Sequence, residues 1–322
     1  MSWNPTLDPT CPTADAVDAI ETLIVPRARD IGGFEVRRAL PAPARQMVGP
    51  FIFFDQMGPA EFVTGQGVDV RPHPHIGLAT VTYLFRGEFQ HRDSLGTDQM
   101  IRPGAVNWMI AGRGVTHSER TSAATRQRPH ELFGIQTWVA LPESAEDDAA
   151  GFEHQGKEAL PVIEAEGARA RLILGSAWGR RAPVRVFGEI FYADVELAPG
   201  AKAPLPDGHE DRGLYVVSGS ITVGGQDHGA ARMMVFRPGD RLHVTAGPAG
   251  ARLILLGGET MPGPRFIWWN FVASSRERIE AAKEAWRAGD WAHGRFRLPP
   301  GDEAEFIPLP EERPGTRPRA VS

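Results

Sequence analysis

The sequence predicts an all-β chain built as two barrel-like halves, with one helix near the C-terminus. Three observations predict it. From Phe34 onward, short apolar runs such as Phe51–Phe54, Thr80–Phe85, Val106–Ile110 and Leu132–Leu141 are broken by Gly and Pro, the pattern of short strands joined by turns. Leu84-Phe85-Arg86-Gly87 is echoed 132 residues later by Val216-Val217-Ser218-Gly219, and Arg102-Pro103-Gly104 is echoed 135 residues later by Arg237-Pro238-Gly239. Two offsets so nearly equal, each about one domain long, point to a duplicated half. Finally, Ser274-Ser275-Arg276-Glu277 has the spacing of a capping box with Ser274 as N-cap; Ile279, Ala282 and Trp286 then share one helical face, and Gly289 can end the helix.

Taken in order, residues 1–24 read as an N-terminal arm, with three prolines in its first thirteen residues. Val17, Ile20 and Ile24 stand at helical spacing, which predicts a short helix over Ala14–Ile24. Residues 25–141 read as the first barrel. Residues 142–160 are acidic and without periodicity, and are expected to be a solvated linker. Residues 161–310 read as the second barrel plus the helix, with strand-like runs at Leu172–Leu174, Arg185–Leu197, Leu214–Val223, Arg232–Phe236 and Arg252–Leu256. Residues 311–322 form a tail rich in proline and charge.

The bulk numbers narrow the function classes. With 42% hydrophobic residues the 322-residue chain can bury ordinary cores. A formal charge of −5 argues against a dedicated nucleic-acid binder. The single cysteine, Cys11, allows neither an internal disulfide nor a thiolate metal site. No apolar stretch reaches membrane-spanning length and the first residues lack the pattern of a signal peptide, so the expectation is a soluble, cytoplasmic protein with no membrane partner. Hydrolase nucleophile and phosphate-loop motifs are missing.

Four residues carry the chemistry. His73 and His75 are two apart in Arg71-Pro72-His73-Pro74-His75, and His117 and Glu119 are two apart in Thr116-His117-Ser118-Glu119. On a strand, residues i and i+2 share a face, so two neighbouring strands would aim three imidazoles and a carboxylate at one point. The prolines exclude a helix interior. Such a nitrogen and oxygen set suits a divalent metal, Fe(II) and also Mn, Ni, Co, Cu or Zn. Glu119 can serve as a permanent ligand or as a base that takes a substrate proton. His91 and Asp93 form a further i, i+2 pair, placed either at the mouth of the first barrel, where they can support the ligands from behind, or as a plain surface pair. Phe53, Phe54, Tyr83 and Trp108 are candidates for a cavity wall or for ordinary core. His209, His228 and His243 read as ordinary polar residues, and His130, His154 and His293 show no partners.

The punctuation around these pairs resembles the cupins. Gly67, five residues, His73-Pro74-His75 and later Gly87 match their first motif, except that Thr80 stands where most cupins have a glutamate. Gly112-Arg113-Gly114-Val115-Thr116-His117 resembles the second motif, and Glu119 directly after it can supply the missing carboxylate. This relocation is similar to the pirin branch. So are Gly49–Asp55, the block HPHIGLATVTYLFRGEFQHRDSLG from His73, Asn107-Trp108-Met109, Gly134–Val139 and Trp269–Val272. The resemblance implies two cupin-type β-barrels, a bicupin, with metal in the first barrel only and iron as the metal.

Two functions follow from the resemblance. One is a dioxygenase that cleaves flavonols such as quercetin at the 2,3 position with O2, releasing CO, with Glu119 as the catalytic base. The other is a non-enzymatic, iron-dependent regulatory protein that binds a transcription regulator or a metabolic enzyme.

Overall fold

Two large sheets with the same strand order carry the fold. The computed structural model describes residues 19–30, 34–311 and 319–321; Cys11, Val17 and most of the expected arm and tail lie outside the described residues. The first half comprises β1 (Ile20–Ile24), β2 (Arg27–Asp30), β3 (Glu35–Leu40), β4 (Phe51–Phe62), β5 (Asp69–His75), β6 (Leu78–Gly87), β7 (Phe89–Asp93), β8 (Asp98–Ile101), β9 (Val106–Ile110), β10 (Val115–Arg120), the short helix α1 (Ala123–Arg126), β11 (His130–Ala140) and β12 (Gly151–Gln155). The second comprises β13 (Val162–Ala165), β14 (Ala168–Ala177), β15 (Arg180–Arg181), β16 (Ile190–Leu197), β17 (Lys202–Pro204), β18 (Asp211–Val223), β19 (Gln226–Gly229), β20 (Arg232–Phe236), β21 (His243–Gly258), β22 (Arg265–Trp268), β23 (Phe271–Ala273), α2 (Arg276–Ala288) and β24 (Arg319–Val321).

One large sheet runs β12-β9-β6-β11-β4-β3-β2 and the other β1-β20-β18-β21-β16-β14-β13, so each strand has a counterpart at the same place. The all-β, two-barrel reading of the sequence is correct. Gly87 and Gly219 show why the repeat is visible. Both have a positive φ, 80° and 75°, and a Cβ at either would come within 2.0 or 2.1 Å of a carbonyl oxygen, of Glu131 or of Gly250. Only glycine fits there. The other echo is fortuitous: Arg102-Pro103-Gly104 precedes β9, whereas Arg237-Pro238-Gly239 follows its counterpart β20.

The two large sheets bury one face against each other. Phe54, Tyr83 and Trp108 from the first half share a core cluster with Tyr192, Tyr215 and Ile254 from the second. Phe51 meets Tyr192 at 5.6 Å and Phe54 meets Tyr215 at 4.8 Å between ring centres. Strands buried on both faces read as unbroken apolar runs, and Leu78–Phe85 is buried at every residue. Phe54, Tyr83 and Trp108 are therefore core between the barrels and lie outside the wall of the cavity that Phe53, pointing the other way, lines.

The barrel interiors differ. In the second, one cluster fills the space, with Leu214 and Leu255 paired across β18 and β21. At the matching place in the first, Thr82 pairs with Gln136, and the apolar residues fall into two separate clusters, one with Leu78 and Trp138, the other with Leu84 and Leu132. A small sheet, β5-β10-β7-β8, closes the first barrel over that polar break. In the second barrel β17 pairs with β21, and Ala203, Val244 and Ala246 fill the interior there.

Several local expectations are corrected. Ile20–Ile24 is a strand and not a helix: Ile20, Thr22 and Ile24 alternate with the more exposed Glu21 and Leu23, and β1 pairs with Met233–Phe236 of the second half. Within the stretch expected to be a solvated linker, β12 pairs with β9, and Glu146 is 3% exposed, facing Arg265 and Arg278. The N-cap of α2 is Ser275, which accepts from the Arg278 N–H, because Ser274 is committed to Glu146. Gly289 ends the helix in the left-handed conformation, and Ile279, Ala282 and Trp286 are buried as expected. Of the expected tail, β24 pairs with β22.

Candidate metal centre

Strands β5 and β10 run antiparallel with His73 opposite His117 and His75 opposite Val115. A bulge between His117 and Glu119 shifts the register by one residue. On the other side of β10, His117 lies opposite Asp93 and Glu119 opposite His91 of β7. Three i, i+2 pairs thus turn one face inward. His73, His75 and His117 are 7%, 1% and 1% exposed, and one ring nitrogen from each lies within 4.8 Å of the others. His91, His117 and Glu119 form a second such group. His91 and Asp93 are 2% and 0% exposed, so they are not a surface pair but face inward, with His91 beside His117. The i, i+2 spacing they share with His73/His75 and His117/Glu119 was the available signal.

Hydrogen bonds dictate which nitrogens are free. His73 Nδ1 donates to the Arg71 carbonyl at 2.9 Å and His75 Nδ1 to the Asn270 carbonyl at 3.2 Å. A neutral imidazole has one N–H, so both Nε2 atoms carry bare lone pairs. His75 Nε2 lies 3.0 Å from His117 Nε2. With its proton on Nε2, His117 donates across this gap; with its proton on Nδ1, both lone pairs face one point and repel unless a cation lies between them. Burial holds all three imidazoles neutral: it pushes His73 down to about 4, and it pushes His75 and His117 well below the ordinary value, with His73 lowering both further. This donor set could hold a metal ion.

Glu119 is half-buried. Its pKa is raised because burial outweighs the charge of His91 and the hydrogen bonds from Thr82 and Gln136. The Gln136 amide is 3.4 Å from its Oε1. Ser118, between His117 and Glu119 in the chain, hydrogen-bonds Asp302 instead of pairing with His117. A cavity of about 740 Å3 opens beside the cluster, lined by His73, His75 and Glu119 and by Phe53, Trp138 and Trp269 among others. Arg38 lies 4.4 Å over Phe53, which stacks on Trp138 at 4.0 Å, and Trp138 meets His75 edge-on at 5.2 Å. Part of the wall comes from far along the chain, at Ile267–Asn270, Ile307 and Pro310. Thr82, Gln136, Trp138 and Asn270 lie in segments that resemble pirins, but the sequence assigned them no role; single polar or aromatic residues inside apolar runs carry no spacing signal.

The remaining histidines are apart from this cluster. His209 bonds the Ser176 carbonyl at 2.9 Å and His154 bonds Asn107 at 2.7 Å, while His243 is exposed. His130 stacks on Phe62.

The fold and the site together define a bicupin whose N-terminal barrel holds a histidine-rich pocket. Residues 33–139 match the family model described as Pirin, and residues 192–292 match that described as Pirin C-terminal cupin domain. A pirin-like protein of Caulobacter vibrioides is 48% identical over 295 residues, covering 91% of this chain and all of that one. The chain belongs to the pirin family. The crystal structure of quercetin 2,3-dioxygenase from Acinetobacter baumannii superposes with a TM-score of 0.85 at 32% identity, covering 94% of this chain and 98% of that one. A bacterial pirin from Escherichia coli, solved in complex with nickel(II), shares the fold at 18% identity with a TM-score of 0.59, covering 74% of this chain and 99% of that one. Among the described residues no helix is long and apolar enough to cross a membrane.

Proposed function

We propose that His73, His75 and His117, each through Nε2, and Glu119 hold one divalent transition metal, Fe(II) foremost, and that the site cleaves a flavonol-type substrate with O2. The observation that carries the catalytic reading is the cavity. An iron centre that only regulated a partner would need no aromatic-walled space of about 740 Å3 opening onto its ligands. The likeness to a quercetin 2,3-dioxygenase supports the substrate class.

The chain's own residues supply the rest. The stacked Phe53 and Trp138 rings offer a flat wall to a planar aromatic, and the surrounding apolar side chains exclude water. Glu119, its pKa raised, is placed to take a hydroxyl proton from the substrate, and Thr82 and Gln136 hold its carboxylate in place. When bound, the metal supplies Lewis acidity toward the substrate oxyanion and the redox chemistry that O2 requires.

The test is aerobic incubation of iron-loaded protein with quercetin, following loss of the flavonol absorption band and release of CO. Turnover is expected in the wild type and is expected to be lost in Glu119→Gln. Retained metal in that variant assigns Glu119 as base; lost metal assigns it as ligand. A folded, iron-loaded wild type that consumes no flavonol overturns the dioxygenase reading in favour of a regulatory one, for which co-purification of a protein partner is the next measurement.

A further inference from the structure

Resting on the metal-holding reading above, we infer that Asp93 and His91 are positioning residues that fix the tautomer of His117 through a chain of two hydrogen bonds. Asp93 Oδ1 accepts the backbone N–H groups of Leu95 at 2.9 Å and Thr97 at 3.1 Å, which pins the carboxylate. Its Oδ2 lies 3.2 Å from His91 Nε2. His91 Nδ1 in turn lies 3.3 Å from His117 Nδ1. These contacts follow from register: the His91/Asp93 pair on β7 faces the His117/Glu119 pair across the same sheet. Stacking on Phe152 at 4.7 Å and 25° sets the plane of the His91 ring.

With both rings neutral, one ordering of protons satisfies both hydrogen bonds of the chain. His91 donates Nε2–H to Asp93, so its Nδ1 is a bare acceptor. His117 must then donate Nδ1–H to it. That leaves His117 Nε2 bare, and this is the nitrogen 3.0 Å from His75 Nε2. The reverse ordering sets a His91 lone pair against a carboxylate oxygen and puts the His117 proton on Nε2, where it blocks a metal. His73 and His75 achieve the same end with backbone carbonyls. His117 uses a second imidazole and a buried carboxylate instead. Partners of this kind orient a ligating imidazole and raise its basicity.

Three variants and one spectrum test the chain. Asp93→Asn must keep its oxygen toward the Leu95 and Thr97 N–H groups, so its NH2 faces His91 and reverses both tautomers. His91→Phe keeps the stack on Phe152 but offers no acceptor. Both are expected to weaken Zn(II) binding, measured by chelator competition, by about tenfold to a hundredfold. His91→Gln restores an acceptor toward His117 and a donor toward Asp93, and is expected to bind nearly as tightly as wild type. Nitrogen-15 spectra of histidine-labelled full-length protein, without metal and with Zn(II), are expected to show His91 protonated on Nε2 in both, and His117 protonated on Nδ1 with Zn(II). A His91 proton on Nδ1, or undiminished affinity in folded Asp93→Asn and His91→Phe, overturns the inference. Failure of the wild type to bind any metal overturns the metal reading instead, and the His91 tautomer in the metal-free protein still decides the chain.

Discussion

A neutral imidazole that donates its Nδ1–H to a neighbour presents a lone pair on Nε2, and three such rings aimed at one point repel one another without a cation. This repulsion makes each ring necessary. His73→Ala or His117→Ala is expected to reduce metal affinity by about a hundredfold or more, beyond the tenfold to hundredfold seen when only a ligand's partner is lost. Elemental analysis of the purified variants should find metal near zero; full occupancy in either would show that the ligands lie elsewhere. These residues were legible in the sequence because strand geometry turns i, i+2 spacing into a shared face. The carbonyl of Asn270 was not, since it reaches His75 from 195 positions away and only the fold brings it there.

At the scale of elements, the approach to α2 separates two adjacent serines, of which the capping-box spacing singles out Ser274 as the cap. Ser275 caps the helix. Ser274 gives its N–H and hydroxyl to the buried Glu146, at 2.6 and 2.7 Å. Ser275→Ala is expected to cost about 1 kcal/mol, the usual loss of an N-cap. Ser274→Ala is expected to cost about 2 kcal/mol, because a buried carboxylate loses a charge-assisted donor. Urea unfolding with unchanged m-values should rank them in that order, and the opposite ranking would make Ser274 the cap.

A second element, residues 302–311, lies across the ligand strands. Arg120, beside Glu119, grips Asp302 at 2.7 and 2.9 Å, and Ile307 N–H bonds the carbonyl of Pro72, beside His73. Burial acts to raise the Asp302 pKa, but hydrogen bonds from Arg120 and Ser118 and the arginine charge outweigh it, so the pKa is lowered from 3.8. A carboxyl lowered on folding stabilises fully above its unfolded pKa, about 3.9, and loses that contribution as pH falls through its folded value. The grip should therefore hold at neutral pH and loosen only below about pH 4. Trp286, bonded to the Ile307 carbonyl at 3.0 Å, reports it by fluorescence. Asp302→Asn should abolish the acid step; an unchanged step would assign it to another carboxyl.

For the whole molecule, the interface between the large sheets contains a polar network among the aromatics. Asp194, 2% exposed, accepts two hydrogen bonds from Arg252, at 2.9 and 2.6 Å, and one from Tyr83 of the first barrel at 2.8 Å. Asp194→Ala leaves a guanidinium and a hydroxyl without their partner inside the contact, and is expected to destabilise the protein by about 3 kcal/mol. Asp194→Asn, which keeps an acceptor, should cost less. Denaturant midpoints decide; equal costs would mean that the charge and not the hydrogen bonding matters.

Local chemistry settled what the sequence by itself determined: strands from apolar runs and turns, α2 from its stop signal and buried face, and the shared faces of the His73/His75 and His117/Glu119 pairs from their spacing; the duplication was suggested by two echoes, of which only the Gly87/Gly219 one falls at matching places. Tertiary structure decided everything that depends on partners distant in the chain. It made Ile20–Ile24 a strand at the edge of the second barrel's sheet, by pairing it with β20. It took Phe54, Tyr83 and Trp108 out of the cavity wall by packing the sheets face to face. It also explains the difference between the barrels: where Leu214 meets Leu255 the interior closes into one apolar core, and where Thr82 meets Gln136 it cannot. Polar groups buried at that break need partners, and the histidines and Glu119 gathered there are the residues that can meet both the break and a metal.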